Sequence, residues 1–409
     1  MPKGNSPESE LPVADGLDVH MRAFFETLAA MSYAPTTQHE KRCVIRRFVR
    51  WAQRVRVAIT DLDDSCVGRF LAQRNHKPRK LDRCTVRQFL QHLRGIGLVP
   101  GRCGSESEPS CGEVLLRRYL GYLRRDRGLC GRSIEVYAPF ARAFVEAQKL
   151  PTRIASLDAS AVRAYLVDHS QNRSVSFVKL LAAALRSFLR FLFLDGVAQR
   201  DFSIAVPPIR RWRLATVPPF LSPEEIERVI MATDRSTASG CRAHAMLLLL
   251  ARLGLRAGEV ALLELDDIRW DVGELVVRGK GRVHDRLPLL DDVGEALALY
   301  IREARGPSSS RRVFLRQCAP HMGLSGPTAV CLVARHALRH AGLARASRVG
   351  AHVFRHSLAT TMIRCGASLA EIAQVLRHRS LDTTQLYAKV DFEALSGIAL
   401  QWPSGEARQ

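Results

Sequence analysis

The sequence predicts a mainly α-helical protein of several domains with one small antiparallel sheet, and three observations lead there. From residue 17 to about residue 205, apolar residues recur at spacings of three and four, as in Val44-Ile45, Phe48-Val49 and Ala52, with hardly a strand signal. One stretch departs from that pattern. "GELVVRGKGRVHDRLPL", Gly273–Leu289, places β-branched residues around Gly279-Lys280-Gly281 and reads as strand, glycine turn, strand. Finally, 409 residues are too many for one compact domain and suit two or three.

Taken in order, residues 1–16 are polar and rich in Pro, Ser and Glu, which predicts a disordered tail. Residues 17–100 predict an N-terminal helical domain, and 101–111, within "GRCGSESEPSCGE", a linker. Residues 112–205 predict a second helical domain that repeats the first. "IRRFVRWAQ" (Ile45–Gln53) aligns with "FARAFVEAQ" (Phe140–Gln148), and "ITDLDDSCVGRFL" (Ile59–Leu71) with "IASLDASAVRAYL" (Ile154–Leu166), both at an offset of 95. "VRQFLQHLRGIGLV" (Val86–Val99) matches "LRSFLRFLFLDGVA" (Leu185–Ala198) with four more residues between. Each copy holds Leu-Asp-x-Ser, at Leu62–Ser65 and Leu157–Ser160, a pattern that caps a helix start by accepting its free N–H groups.

Residues 206–219 lie in a proline- and arginine-rich run that favours an extended strap between domains. "SPEE" then opens a helix, with Ser222 as N-cap, Pro223 in the first turn and Glu225 closing a capping box. A helix from about Cys241 breaks at Gly254, the hairpin follows, and helices return from Asp291.

Composition narrows the function. Lys and Arg number 61 against 40 Asp and Glu, a net charge of +21. That surplus, dominated by arginine, points to a polyanion partner gripped through bidentate phosphate contacts. Mean hydropathy is −0.06. The longest apolar run, "AMLLLLA" at Ala245–Ala251, is far shorter than the roughly 20 residues of a membrane span. No secretory leader is read at the N-terminus, and a cytoplasmic, nucleoid-associated protein away from membranes is expected. The ten cysteines form no C-x-x-C pair and are expected to be reduced, mostly buried thiols without a zinc site.

Six residues of the C-terminal region carry groups suited to breaking a phosphodiester: Arg256, Lys280, His352, Arg355, His378 and Tyr387. A tyrosine phenol can attack phosphorus and form a covalent ester. Two guanidiniums can grip the nonbridging oxygens on which charge grows. Histidines can donate hydrogen bonds or shuttle the phenolic proton, and a lysine can protonate the leaving 5′ oxygen. With arginines supplying the positive charge, no metal and no cofactor is expected. Tyr300 sits in an apolar helix and reads as core, while His336 and His356 read as structural.

These residues, in this order, resemble the tyrosine recombinase (phage integrase) family from about Phe220 to Trp402. Arg256 in "GLRAGE" matches the family's first arginine, and Lys280 in "GKGRVHDRLPL" its hairpin lysine. His352 and Arg355 match the His-x-x-Arg box, His378 the later histidine, and Tyr387 the nucleophile. Where the family usually has glycine before that histidine, this chain has Arg377, which alters a helix start or adds a phosphate contact.

The resemblance implies a SAM-like core-binding domain at 112–205, a catalytic domain at 220–402 and a tail at 403–409. It implies a site-specific recombinase or integrase that cuts double-stranded DNA through a 3′-phosphotyrosine without ATP, in integration or transposition. Strands would exchange through a Holliday junction in a homotetramer on paired sites, with other recombinases as further candidate partners, and "DFEALSGIALQW" would dock on a neighbouring subunit or on its own domain. The domain at 17–100 is additional, and a second DNA site, an extended clamp and protein contacts all remain open for it. The rival readings are a type IB topoisomerase-like relaxing enzyme and a catalytically idle DNA-binding regulator.

Overall fold

A computed structural model describes residues 17–72, 80–99, 110–209, 219–279, 284–343 and 350–378, together with Ser380, Thr384, Gln385 and Tyr387. The expected N-terminal tail, nearly all of the 101–111 linker, the middle of the strap, Lys280 and the apolar segment after Tyr387 lie outside the described residues. The fold is mainly helical with one three-stranded antiparallel sheet, as the sequence predicts. Backbone contacts divide the chain into two compact units, 1–100 with 214–409, and 101–213.

The first helical bundle comprises α1 (Leu17–Ala30), α2 (Pro35–Arg54), α3 (Asp64–Ala72) and α4 (Lys80–Gly95). The three-and-four spacing of α2 turns Val44, Ile45, Phe48, Val49 and Ala52 inward and leaves Arg42, Arg46, Arg47, Arg50 and Arg54 exposed. Inside, aromatic rings meet edge to face: Phe24 on Phe89 at 5.3 Å and Phe48 on Phe70 at 5.3 Å. Lys41 is buried as well. Its ammonium donates to Gln88 at 2.8 Å, and burial holds its pKa below the usual lysine range.

The second bundle has the same order of elements: α5 (Cys111–Arg125), α6 (Gly131–Gln148), α7 (Ala159–Ser170) and α8 (Val175–Leu194). A single 3₁₀ turn precedes α3 at Ile59–Asp61, and another precedes α7 at Ile154–Ser156. The two Leu-Asp-x-Ser motifs act where these turns end. Asp63 accepts from the Cys66 N–H at 2.9 Å, and Asp158 caps α7 by accepting from Ala161 at 2.7 Å. Tyr119 at the centre of this core donates to Ser187 at 3.1 Å, and burial pushes its phenol up to about 12.

The C-terminal region opens with α9 (Pro223–Met231), capped by Ser222 and Glu225 as expected. Its centre is α10 (Ala238–Arg252), whose run Ala245–Ala251 is buried throughout. A helix can be apolar all round only when neighbours cover every face. Here these are α9, α11 (Ala257–Leu262), α12 (Asp291–Leu299), α13 (Pro327–His340) and α14 (His352–Arg364). α12 runs on into a π-helical turn in which Tyr300 is buried, in line with its core reading. The last helix is α15 (Leu369–Val375).

Three strands form the sheet: β1 (Ile268–Arg269), β2 (Glu274–Arg278) and β3 (His284–Pro288), in that spatial order. The hairpin pairs Val277 with Asp285 and Arg278 with His284, and Leu275 and Val277 of β2 point into the core. The two-residue β1 is an addition to the two strands the sequence predicts.

The cysteines correct one expectation. Cys66 and Cys241 are buried and Cys331 is partly so, but Cys43, Cys84, Cys111, Cys130, Cys318 and Cys365 are exposed, all as free thiols. Apolar neighbours in sequence do not fix which face of a helix a residue occupies; Cys43 falls on the outer face of α2, beside Arg42.

Ser222→Ala removes the cap on α9 and should lower stability by about 1 kcal/mol, read as a shift in the urea unfolding midpoint at unchanged slope.

Candidate active site

The first arginine owes its position to a glycine. α10 stops at Gly254, whose φ of +57° lies in the left-handed region. A Cβ there would come within 2.8 Å of Leu376 and 2.9 Å of Leu358. The turn delivers Arg256 to the N-terminus of α11, where its backbone N–H donates to Glu259 at 2.8 Å and its guanidinium to the same carboxylate at 2.7 Å. The Glu259 side chain, 8% exposed, is shared. Arg377 donates to it at 2.9 Å and lies 3.8 Å from Asp285 on β3. Through Asp285 the β2–β3 hairpin adjoins this group.

Arg355 projects from α14 and is buried. Its two terminal nitrogens donate to the carbonyl oxygens of Gly254 and Leu376. Both carbonyls come from turns that carry other site residues, so one side chain ties the Arg256 turn to the His378 turn. Burial, followed by Arg256 and Arg377, pulls its pKa down to about 10, so it remains cationic at neutral pH.

His378 follows α15. Its Nδ1 is paired with the Thr384 hydroxyl at 2.8 Å, and its ring lies parallel to that of Tyr387, centroids 6.4 Å apart. Desolvation, then Arg355 and Arg256, hold it at about 4, so it is neutral at pH 7. His352 opens α14, and desolvation with Arg355 and Arg256 also lowers its pKa. Tyr387 is buried in a small apolar cluster with Ala359, Ile363, Ile372 and Leu376. Burial raises its phenol pKa, against the pull of Arg355 and Arg256.

Five of the six expected residues, Arg256, His352, Arg355, His378 and Tyr387, therefore meet in one cluster, although the first and last are 131 positions apart in the chain. Lys280 lies outside the described residues. Arg377 joins the cluster as a third guanidinium. Its backbone takes the left-handed conformation, φ 54°, at the position where a glycine was the expected residue.

His356, expected to be structural, places its Nδ1 2.8 Å from the Tyr387 hydroxyl, a contact the sequence reading did not anticipate. The signal was its position one turn after His352 on the same helix, a spacing that puts both rings on one face. Its burial, with His352 and Arg355 nearby, lowers it to about 4. His336 stays apart, with its ring against His340 on α13. Among the described residues no group of His, Cys, Asp and Glu side chains is placed to hold a metal ion.

The cluster holds three guanidiniums around one carboxylate, with Asp285 at the margin. It is an anion-binding arrangement with a phenol beside it. Replacing Glu259 with Gln leaves Arg256 and the largely shielded Arg377 facing each other with only Asp285, 3.8 Å from Arg377, as a counter-charge. E259Q should cost about 3 kcal/mol of stability by urea unfolding, well beyond a typical surface change.

The Phage integrase family matches residues 219–394. The Sinorhizobium fredii (strain NBRC 101917 / NGR234) protein named "Putative integrase/recombinase y4rA" is 37% identical over 402 residues, covering 98% of this chain and 96% of that one. Tyrosine recombinase XerC of Anoxybacillus flavithermus is 28% identical over 295 residues, covering 70% of this chain and 96% of its own. Among solved structures, the XerH site-specific recombinase in its post-cleavage complex with palindromic difH substrate has a TM-score of 0.54 at 16% identity, covering 95% of this chain and 97% of that one. The lambda integrase tetramer bound to a Holliday junction has a TM-score of 0.51 at 17% identity, covering 81% and 91%. The fold, the arginine–histidine–tyrosine cluster and the full-length similarity to y4rA converge: the chain belongs to the phage integrase family of tyrosine site-specific recombinases.

Proposed function

We propose that the chain cuts and rejoins double-stranded DNA through a covalent 3′-phosphotyrosine at Tyr387, without metal, ATP or cofactor, in DNA integration or transposition. The observation that carries this reading is the packing of Tyr387 against Leu376, whose carbonyl oxygen accepts from Arg355, with the His378 ring parallel to the phenol. Arg256 and Arg355 grip the nonbridging oxygens of the scissile phosphate and stabilise the charge that grows there. His352 and His378, neutral at pH 7, donate hydrogen bonds to the same group. Lys280 protonates the departing 5′ oxygen. A 5′ hydroxyl from a second duplex then displaces Tyr387, so one ester replaces another and no outside energy source is needed.

The bundle at 112–205 binds the core of the site, and the exposed arginines of α2 give the first bundle a phosphate-binding face. The working form is a homotetramer on paired sites; the tetrameric assembly of lambda integrase on a Holliday junction supports that reading. Among the described residues no helix is long and apolar enough to cross a membrane. We place the protein with the DNA of the cytoplasmic nucleoid.

The decisive experiment is covalent capture of host DNA on the protein, followed by sequencing. Wild type should retain DNA through detergent denaturation, with reads converging on one site. Tyr387→Phe should retain none. Binding without any captured adduct would leave a regulator, and relaxation of supercoils without exchange between paired sites would indicate a topoisomerase-like enzyme. On a captured site, Lys280→Ala should cleave about 10²–10³-fold more slowly. A substrate with sulfur at the 5′ bridging position should restore that variant, because a thiolate leaves without a proton.

A further inference from the structure

Catalysis at Tyr387 has to dispose of a proton. The phenol is buried and its pKa is raised, so at neutral pH it attacks as a protonated group unless a base lies within reach. Two histidines adjoin it, and a third lies one turn away on α14. The His378 ring is parallel to the phenol ring, with its Nδ1 already engaged by Thr384. The His352 ring centre lies 6.2 Å from that of His356, at the start of the helix. Only His356, among the described residues, is hydrogen-bonded through a ring nitrogen to the Tyr387 oxygen, at 2.8 Å.

We propose that His356 is a further catalytic residue, taking the phenolic proton of Tyr387 as its oxygen attacks phosphorus; this rests on the reading of Tyr387 as the nucleophile. The charge states fit the direction of transfer. His356 is neutral and offers a lone pair, whereas the phenol holds its proton. The phenol therefore donates and Nδ1 accepts, with the ring proton on Nε2.

The groups facing His356 are His352 and Arg355 on α14, His378 after α15, and Tyr387 itself. The cationic member, Arg355, opposes a lasting imidazolium. A phosphodiester entering the arginine cluster brings a negative charge and offsets that opposition. In the step, the Tyr387 O–H bond breaks, its proton passes to His356, the O–P bond forms, and the bond from phosphorus to the 5′ oxygen breaks with a proton from Lys280. When a 5′ hydroxyl later attacks the phosphotyrosine, its proton passes to the Lys280 amine left neutral by the first step, the bond from phosphorus to the Tyr387 oxygen breaks, and His356 returns its proton to that oxygen.

The test uses the full chain and a nicked duplex carrying a site recovered by covalent capture, with adduct formation timed in single turnover from pH 5.5 to 9. Wild type should form adduct at a nearly constant rate above pH 6. His356→Ala should be slower by about a hundredfold at pH 7, should speed up as pH rises, and should be rescued by added imidazole. His356→Gln, which keeps a polar group of similar reach but accepts no proton, should show the same pH-dependent loss while binding the duplex like wild type.

A His356→Ala or His356→Gln protein with the wild-type rate and profile would overturn the proposal. So would faster cleavage by either variant, which would make the contact a latch, or a loss that neither pH nor imidazole relieves, which would make it structural. Absence of adduct from wild type would instead remove the phosphotyrosine reading on which the proposal rests.

Discussion

The site depends on one buried guanidinium. Arg355 donates to the carbonyl oxygens of Gly254 and Leu376, which end two helices far apart in sequence. A buried cation without partners would be expensive, and this one is stabilised by two backbone acceptors and by Glu259 nearby. The arrangement fixes two loop ends against α14 at once. Arg256 extends from one of them and His378 from the other. The packing of Leu376 and Leu358 against Gly254 leaves no room for a side chain at that glycine, so the carbonyl faces the guanidinium at close range.

Around that anchor, charge is arranged unevenly. Glu259 neutralises part of the positive charge of Arg256 and Arg377, and Asp285 brings the hairpin to the same group. The surplus is positive and sits beside a phenol and three histidines. Each of those imidazoles has its proton affinity depressed, so each is mainly neutral at pH 7. Neutral imidazoles serve as donors and acceptors without adding to the repulsion among the guanidiniums.

Much of this was legible in the sequence because the signals were local. "GLRAGE", "HVFRH" and "LRHRS" each carry a site residue in a recognisable helix-end or helix-face context, and the capping box at Ser222 marked the start of α9. What escaped was three-dimensional. His356 was set aside on spacing, although one helical turn from His352 places it on the face that meets Tyr387. The exposure of Cys43 and Cys365 could not be read from neighbouring apolar residues, because helical rotation separates adjacent side chains. The third strand, Ile268–Arg269, is too short to leave a periodic trace. For Arg377 the sequence offered a changed helix start or a phosphate contact; the structure shows a left-handed residue paired with Glu259.

That residue has a bearing on how the protein responds to ionic strength. A glycine there would leave the turn before His378 free to flex, whereas an arginine in the same conformation must be held in place by its partner. Because both members of the pair are largely shielded from solvent, mobile ions reach them poorly. The outward-facing arginines of α2 have no such shelter, so any attraction they exert on a polyanion would weaken as salt rises. On the function proposed above, attachment to DNA through α2 and the internal shape of the arginine cluster would lie under separate electrostatic control, so a change in salt would alter how long the protein stays on DNA while leaving the Arg377–Glu259 pair intact.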